Sequence, residues 1–248
     1  MSTTFAVPAA LQEFLGHRQT KVEAFSVLAL GVLLTVIYAA LFLGLIGHAN
    51  YLDSGLPTWR LVVGVLLASD IFFGAVANFS RGTNAHYSSA EDSKKRWIFI
   101  VAHWHISILC WLWHPEDMDA LTFCAGLNLF TLLCAAFVNT QRDDPNALQR
   151  FIGGATMVSS SFLLVSLAVH PGLGGRLPLE LWPVCFVFHV KVMYAFAVDH
   201  YGSQTSIHKR VAAAATARRV ATAKASKANG NVRRAASPAR RAKSPSRA

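Results

Sequence analysis

Five ionisable side chains lie inside long apolar stretches of the sequence: Asp70, His103, His105, His189 and Lys191. Such residues are costly in hydrocarbon, so they are usually paired and often mark a substrate, ion or proton pathway. At 1.5 Å per helical residue, Asp70, His105 and Lys191 each lie roughly 12 to 13 Å from the same end of their stretches. We therefore predict an Asp70–Lys191 ion pair with His105 or His103 nearby, as a path for protons, ions or a small solute.

The same residues also allow a purely structural interpretation. Asp70 and Lys191 could simply neutralise each other, or the lysine could extend its ammonium to the membrane surface. His103 and His105 are about 200° apart on a continuous helix, so only one of them is expected to face the bundle interior. Asn128 is expected to form interhelical hydrogen bonds, as is the run Ser159–Ser161.

Cofactor sites are disfavoured by the positions of the histidines. Bis-histidine haem needs two ligands at one depth on facing helices. His103 lies at about 9 Å, His114 at about 25 Å, His189 at about 16 Å and His200 near zero, so no cross-helix pair matches. The sequence has no nucleophile elbow, phosphate loop, HExxH or CxxC motif, and its four cysteines lack metal-ligand spacing. Nothing in these patterns favours an enzyme or a metal site.

The elements that must position these residues are membrane-spanning helices. Of the 248 residues, 53% are hydrophobic and only 15% are charged, whereas a soluble domain has about 25% charged residues. Six stretches have the length and polarity expected of transmembrane helices. They are Ala24–Gly47, Trp59–Phe79, Trp97–Trp113, Asp119–Thr140, Phe151–Val169 and Leu177–His200. We predict an all-α, polytopic six-helix bundle over residues 24–200, with an N-terminal flank over residues 1–23 and a disordered basic tail over residues 201–248.

Basic residues predict the orientation of the bundle. Arg18 and Lys21 precede the first stretch, Lys94, Lys95 and Arg96 precede the third, and the tail follows the sixth. Lys and Arg are enriched in cytoplasmic connections. An even number of helices puts all these segments on one side, so both termini are expected in the cytosol.

The tail combines high charge with two candidate phosphorylation sites. Between Ile207 and Ala248 there are twelve Lys or Arg residues and no Asp or Glu. Ser237 and Ser244 each begin a Ser-Pro-x-Arg sequence, similar to sites of proline-directed kinases. The basic residues singled out are Lys209, Arg210, Arg218, Arg219, Arg233, Arg234, Arg240 and Arg241. Such a tail is expected to bind anionic lipid headgroups, or an acidic protein or nucleic acid, and to be released by phosphorylation.

Short motifs in the bundle resemble heliorhodopsins, relatives of microbial rhodopsins with a cytosolic N-terminus. They are Leu11-Gln12-Glu13-Phe14, Tyr87-Ser88 followed by Arg96-Trp97, Gly126-Leu127-Asn128, and Phe151-Ile152-Gly153 with Val158. The resemblance implies a rhodopsin-like bundle over the six helices. It departs from the family at Ile100, where the family has a counterion carboxylate, and in lacking a seventh helix for the retinal-bearing lysine.

Three functions are therefore open at the level of sequence. The first is transport through the Asp70, His105 and Lys191 level. The second is a non-catalytic membrane anchor or scaffold whose tail binds acidic partners. A homo-oligomer is also compatible with the sequence. The third is a rhodopsin-like sensor without its chromophore, because Lys191 could carry retinal only with a different helix register. Neither retinal nor haem is expected as a cofactor.

Overall fold

The computed structural model describes residues 4–41, 44, 55–88, 93–141, 148–170, 172, 174–201 and 216. The chain divides into two units, Met1–Gln204 and Thr205–Ala248. Thr216 is the one described residue of the second unit. Apart from Tyr201 and Thr216, the predicted basic tail, with Ser237 and Ser244, therefore lies outside the described residues.

The described chain is predominantly helical, which confirms the predicted fold class at that level. In chain order the helices are α1 Gln12–Leu15, α2 Lys21–Tyr38, α3 Thr58–Phe79, α4 Arg81–Ser88, α5 Ser93–Ala102, α6 His105–Trp113, α7 Met118–Thr140, α8 Leu148–Val169 and α9 Leu181–His189. A π-helix over Val190–Phe196 continues α9, and 3₁₀ turns cover Ala9–Leu11 and Gly174–Arg176.

Five helical segments are long and apolar enough to cross a membrane. They are Lys21–Leu41, Thr58–Phe79, Lys94–Trp113, Met118–Thr140 and Leu148–Val169. The sixth predicted span, Leu177–His200, is helical only over Leu181–Phe196, which is apolar but shorter. Beyond Phe196, two residues from other parts of the chain bind the backbone: Gln149 Nε2 donates to Ala197 O at 2.9 Å, and Asn84 Nδ2 donates to Val198 O at 2.8 Å.

The first long helix begins earlier than its hydrophobicity predicts. It starts at Lys21 rather than Ala24 because Thr20 and Glu23 form a capping box. Thr20 Oγ1 accepts the Glu23 amide at 3.1 Å, and Glu23 Oε2 accepts the Thr20 amide at 3.0 Å. These bonds satisfy amides that a helix start otherwise leaves without partners.

A small β-hairpin precedes this helix and was not predicted. Strand β1, Thr4–Ala6, pairs antiparallel with β2, Arg18–Thr20. Gly16 adopts φ 72°, and a Cβ atom there would lie 2.1 Å from Gly82 O in α4. The hairpin therefore sits against α4, and glycine is needed at position 16 both for its backbone angle and for this close approach.

The third predicted span is interrupted rather than continuous. Helix α5 ends at Ala102, His103 and Trp104 are not helical, and α6 begins at His105. Asn128 of α7 donates from Nδ2 to His103 O at 2.9 Å. The interrupted helix no longer supplies a donor for the His103 carbonyl, and Asn128 supplies one instead. Helix α7 therefore helps to stabilise the break.

Polar contacts gather at two ends of the bundle. At the hairpin end, Gln19 Nε2 donates to Ser80 Oγ at 2.8 Å, and the His200 amide donates to Asn84 Oδ1 at 3.0 Å. These contacts bring the N-terminal hairpin, the connection after α3 and the residues after the π-helix to one end. Gln149, at the start of α8, joins them there through Ala197.

The opposite end gathers the remaining connections. Tyr38, at the end of α2, donates from its hydroxyl to Glu180 O at 3.0 Å. His114, just after α6, has Nε2 3.0 Å from Glu180 Oε1. Successive long helices thus alternate in direction between the two ends, which is the arrangement that short connections favour.

The surface between the two ends is rich in large apolar side chains. Phe25, Leu66, Leu133, Phe162 and Val169 are each between 60% and 75% exposed. Exposed apolar surface on this scale is unusual for a protein surrounded by water. The core lies around α3, which packs against α2, α6, α9 and the π-helix.

Candidate functional site

Asp70 of α3 forms the centre of a polar cluster inside the bundle. Lys191 Nζ lies 2.7 Å from Asp70 Oδ2 and also donates to the Asp70 backbone carbonyl at 3.2 Å. The lysine side chain is 3% exposed and the aspartate side chain 34% exposed. The charged groups predicted to pair are therefore in direct contact, with Lys191 enclosed by the bundle.

The π-helix and one glycine allow Lys191 to reach this position. Lys191 is the second residue of the π-helix, a widened helical form that is frequent at functional sites. A Cβ atom on Gly74 would lie 2.3 Å from Lys191 Cε and 2.8 Å from Nζ. A side chain at position 74 would therefore force Lys191 to shift from the position in which it meets Asp70.

His105 adds a second donor to the same carboxylate oxygen. Its Nε2 lies 3.2 Å from Asp70 Oδ2. His105 is the first residue of α6, directly after the helix break. The break therefore sets the position of its imidazole ring. Asp70 Oδ2 is thereby bound by an ammonium from the π-helix and an imidazole from α6. This arrangement joins three segments at one carboxylate.

His103 lies beside His105, contrary to the expectation that only one of the two faces the interior. Their ring centroids are 4.5 Å apart with an interplanar angle of 30°. The expectation assumed a continuous helix, whereas the break at His103 and Trp104 changes the direction of the backbone between them. His103 Nδ1 is 2.6 Å from Phe99 O, which fixes the ring against α5.

A cavity of about 240 Å³ adjoins the cluster. It is lined by Asp70, Gly74, Ala77, Asn78, Tyr87, Phe99, His103, His105 and Lys191. The lining combines one ion pair, two imidazoles, an amide and a phenol with apolar walls. These groups can donate, accept and exchange protons with a small polar guest. Among the described residues, no group of three or more His, Cys, Asp or Glu has a geometry that could hold a metal ion.

Two other residues predicted for this layer lie elsewhere. His189 is fully buried between α7 and α8: its Nδ1 is 3.0 Å from Thr131 Oγ1, and its Nε2 contacts Ser160 Oγ. Asn128 does not line the cavity either, but it holds the His103 carbonyl at the helix break. His189 therefore joins three helices, and Asn128 positions the site without facing it.

Sequence reasoning missed several residues of the cavity. Gly74 and Asn78 follow Asp70 at intervals of four, so a helical stripe through Asp70 could have identified both. Tyr87 and Phe99 carry no comparable signal. Tyr87 lies in α4, a short helix that hydrophobicity does not predict, and Phe99 resembles any apolar residue of a span.

No protein-family model, no curated protein and no solved structure matches the chain. The resemblance to heliorhodopsins therefore stays a prediction.

Proposed function

We propose that this chain is an integral membrane protein that moves protons, ions or a small solute through the cavity at Asp70, His105 and Lys191. The observation that carries the proposal is the contact of these three side chains beside a cavity of about 240 Å³ within an apolar bundle. Ionisable residues inside membrane segments are rare because their desolvation is costly, and they commonly mark transport pathways.

The membrane assignment is supported by the length of the apolar helical segments and by the apolar side chains exposed on the bundle surface. Five helical segments are long and apolar enough to cross a bilayer. We propose that Leu181–Phe196, together with the turns that flank it, forms the sixth crossing. The large apolar side chains exposed between the two ends would then face lipid rather than water.

The proposed orientation places the hairpin end in the cytosol. Arg18, Lys21 and Arg81 belong to this end, and the basic tail begins shortly after Tyr201. At the opposite end, the connection His114–Met118 has no Lys or Arg. The bias of basic residues towards cytoplasmic connections therefore supports two cytosolic termini.

The basic tail supports an additional role in membrane attachment. Its twelve Lys and Arg residues follow the last helix in the sequence, so with cytosolic termini each would contribute about 1 kcal/mol of attraction to an anionic leaflet. We propose anionic lipid as its partner. Phosphates on Ser237 and Ser244 would add about −2 charges each and weaken this attraction.

Reconstitution tests the transport proposal. Proteoliposomes are given gradients of H⁺, Na⁺ and K⁺ in turn, and each flux is compared with that of empty liposomes. We expect at least one flux above background in the wild type and a return to background in Asp70→Asn. Asp119→Asn is the matched control, because Asp119 is an exposed carboxylate in the first turn of α7.

Loss of folding is separated from loss of transport by a double variant. Asp70→Asn alone leaves Lys191 without its anion, whereas Asp70→Asn combined with Lys191→Met removes both charges. The double variant is expected to be more stable than the single variant in detergent, because an unpaired buried charge costs about 3 to 5 kcal/mol. A well-folded double variant that retains full flux would contradict the proposal, and so would a wild type with no flux above background.

A further inference from the structure

We propose that the cavity binds water and that the transported species is the proton, passed between His105 Nδ1 and His103 Nε2 through that water. This inference rests on the proposed transport function and specifies its cargo. It uses atoms of the cavity that the Asp70–Lys191 ion pair leaves without partners.

The tautomers of the two imidazoles follow from their partners. The Phe99 carbonyl can only accept a hydrogen bond, so His103 Nδ1, 2.6 Å away, carries a hydrogen. In the neutral ring, His103 Nε2 therefore has a free lone pair. His105 Nε2 faces the Asp70 carboxylate at 3.2 Å and carries a hydrogen for the same reason. The lone pair of neutral His105 is then on Nδ1.

Two buried polar atoms of the cavity have no hydrogen-bond partner among the described residues. They are His105 Nδ1, an acceptor in this tautomer, and Asn78 Nδ2, a donor. Asn78 is only 5% exposed. Buried polar atoms are almost always paired with protein or with ordered water.

The space beside these atoms is large enough for water. A water molecule occupies about 30 Å³ in the liquid, and a buried one needs two to four polar partners. Asn78, His103 and His105 all line the cavity of about 240 Å³, so we infer that the Asn78 amide donates to this water and that the two imidazole lone pairs accept from it. Water both donates and accepts hydrogen bonds, so it satisfies this mixture better than a purely anionic or cationic guest.

A proton can pass from one imidazole to the other through this water molecule, which is regenerated in the process. When His105 is protonated, its Nδ1–H bond breaks as that proton bonds to the water oxygen. One of the water's original O–H bonds breaks at the same time, and its proton forms the Nε2–H bond of His103. The water is regenerated, and the positive charge moves from one ring to the other. The other titratable groups that line the cavity are Asp70, Tyr87 and Lys191.

The ion pair argues against a metal cation as the cargo. Asp70 Oδ2 is already bound by Lys191 and by His105. A dehydrated Na⁺ or K⁺ would thus find this carboxylate oxygen occupied, whereas a proton can bond directly to an imidazole nitrogen.

Ion selectivity gives the first test. In proteoliposomes with imposed gradients, we expect H⁺ flux above that of empty liposomes, and Na⁺ and K⁺ fluxes equal to it. His103→Phe keeps an aromatic ring beside Phe99 and removes the lone pair, so H⁺ flux should fall at least tenfold. His170→Phe, outside the bundle's helices, should leave the flux unchanged.

A wild type that carries Na⁺ or K⁺ as fast as H⁺ overturns this inference but leaves the proposed transport standing, whereas no flux of any ion overturns the transport proposal.

Nitrogen NMR gives a second test that does not depend on transport. In the full-length protein labelled with ¹⁵N-histidine and held in nanodiscs, neutral His103 should be protonated at Nδ1 and neutral His105 at Nε2. Both rings should show magnetisation transfer from water. The His103→Phe spectrum assigns the His103 signals. A His103 ring protonated at Nε2 and bare at Nδ1, or a cavity without water contact, overturns the relay even if the protein transports protons.

Discussion

At the scale of single residues, the site depends on the lack of a side chain at Gly74. In the ion pair, Lys191 crosses the face of α3 at position 74, where a Cβ atom would lie 2.3 Å from Lys191 Cε. Asp70, Gly74 and Asn78 lie on one face of α3. Asp70 supplies the charge, Gly74 leaves space for the lysine, and Asn78 supplies an amide. This shared face explains why the lysine, the aspartate and the cavity meet at the same height.

Gly74→Ala is therefore expected to disrupt the site although it adds a single methyl group. The new Cβ would lie 2.3 Å from Lys191 Cε, so the lysine must move away from Asp70. Such overpacking costs about 1 to 3 kcal/mol. Thermal unfolding in detergent should show a lower midpoint, and transport should fall together with it.

Gly126→Ala is the matched control for this prediction. Gly126 is an exposed glycine of α7, and a Cβ there meets nothing within 4 Å. Alanine is favoured over glycine in a helix by about 0.5 to 1 kcal/mol, so this variant should be as stable as the wild type or slightly more stable. Equal behaviour of the two alanine variants would refute the packing role of Gly74.

At the scale of elements, the break between α5 and α6 creates the site. A continuous helix would turn His103 and His105 to opposite faces, and the break turns both to the cavity. Asn128 stabilises the break from α7 by donating to the freed carbonyl of His103. The geometry of the third span is thus set by a neighbouring helix as well as by its own sequence.

Asn128→Leu should loosen this break. The variant leaves the His103 carbonyl buried without its donor, at a cost of about 1 to 3 kcal/mol. We expect a lower unfolding midpoint, together with altered histidine signals in the ¹⁵N spectrum. Leu133→Ala changes an exposed position of the same helix and should leave the histidine signals in place. Unchanged histidine signals in Asn128→Leu would show that the break does not depend on this bond.

The limits of sequence reasoning are clear at these elements. Helical depth alone predicts that Asp70, His105 and Lys191 lie at one level, because rise per residue is constant within a helix. The pairing of the two histidines was not predicted, because the break depends on Asn128, which lies on another helix. The shortening of the sixth helix was not predicted either: beyond Phe196, Asn84 and Gln149 bind the backbone from distant positions in the chain.

At the scale of the whole molecule, the alternation of the helices and the distribution of charge agree. The hairpin, the start of α8 and the residues after the π-helix share one end, and the described basic residues Arg18, Lys21 and Arg81 lie there too. The prediction of a predominantly helical chain is confirmed, with five helical segments long enough to cross a membrane, one of them interrupted at His103 and Trp104. Membrane insertion and the cytosolic position of both termini stay predictions.

Protease accessibility tests this topology. Epitope tags are added at the N-terminus and after Ala248, and sealed vesicles of known orientation are treated with protease. We expect both tags to be cleaved from the cytosolic face and protected from the opposite face. Tags on opposite faces would require an odd number of crossings. In that case Leu181–Phe196 would be a buried helix that does not span the membrane.

The short sixth helix has a consequence for the membrane around the protein. Leu181–Phe196 is shorter than about 24 Å, because 1.5 Å per residue is an upper limit for its π-helical part, whereas the hydrocarbon core of a bilayer is about 30 Å thick. Such a hydrophobic mismatch is relieved when the adjacent lipid thins. Phe186 is the one exposed residue of this stretch, so we expect the bilayer to thin locally where Phe186 meets lipid.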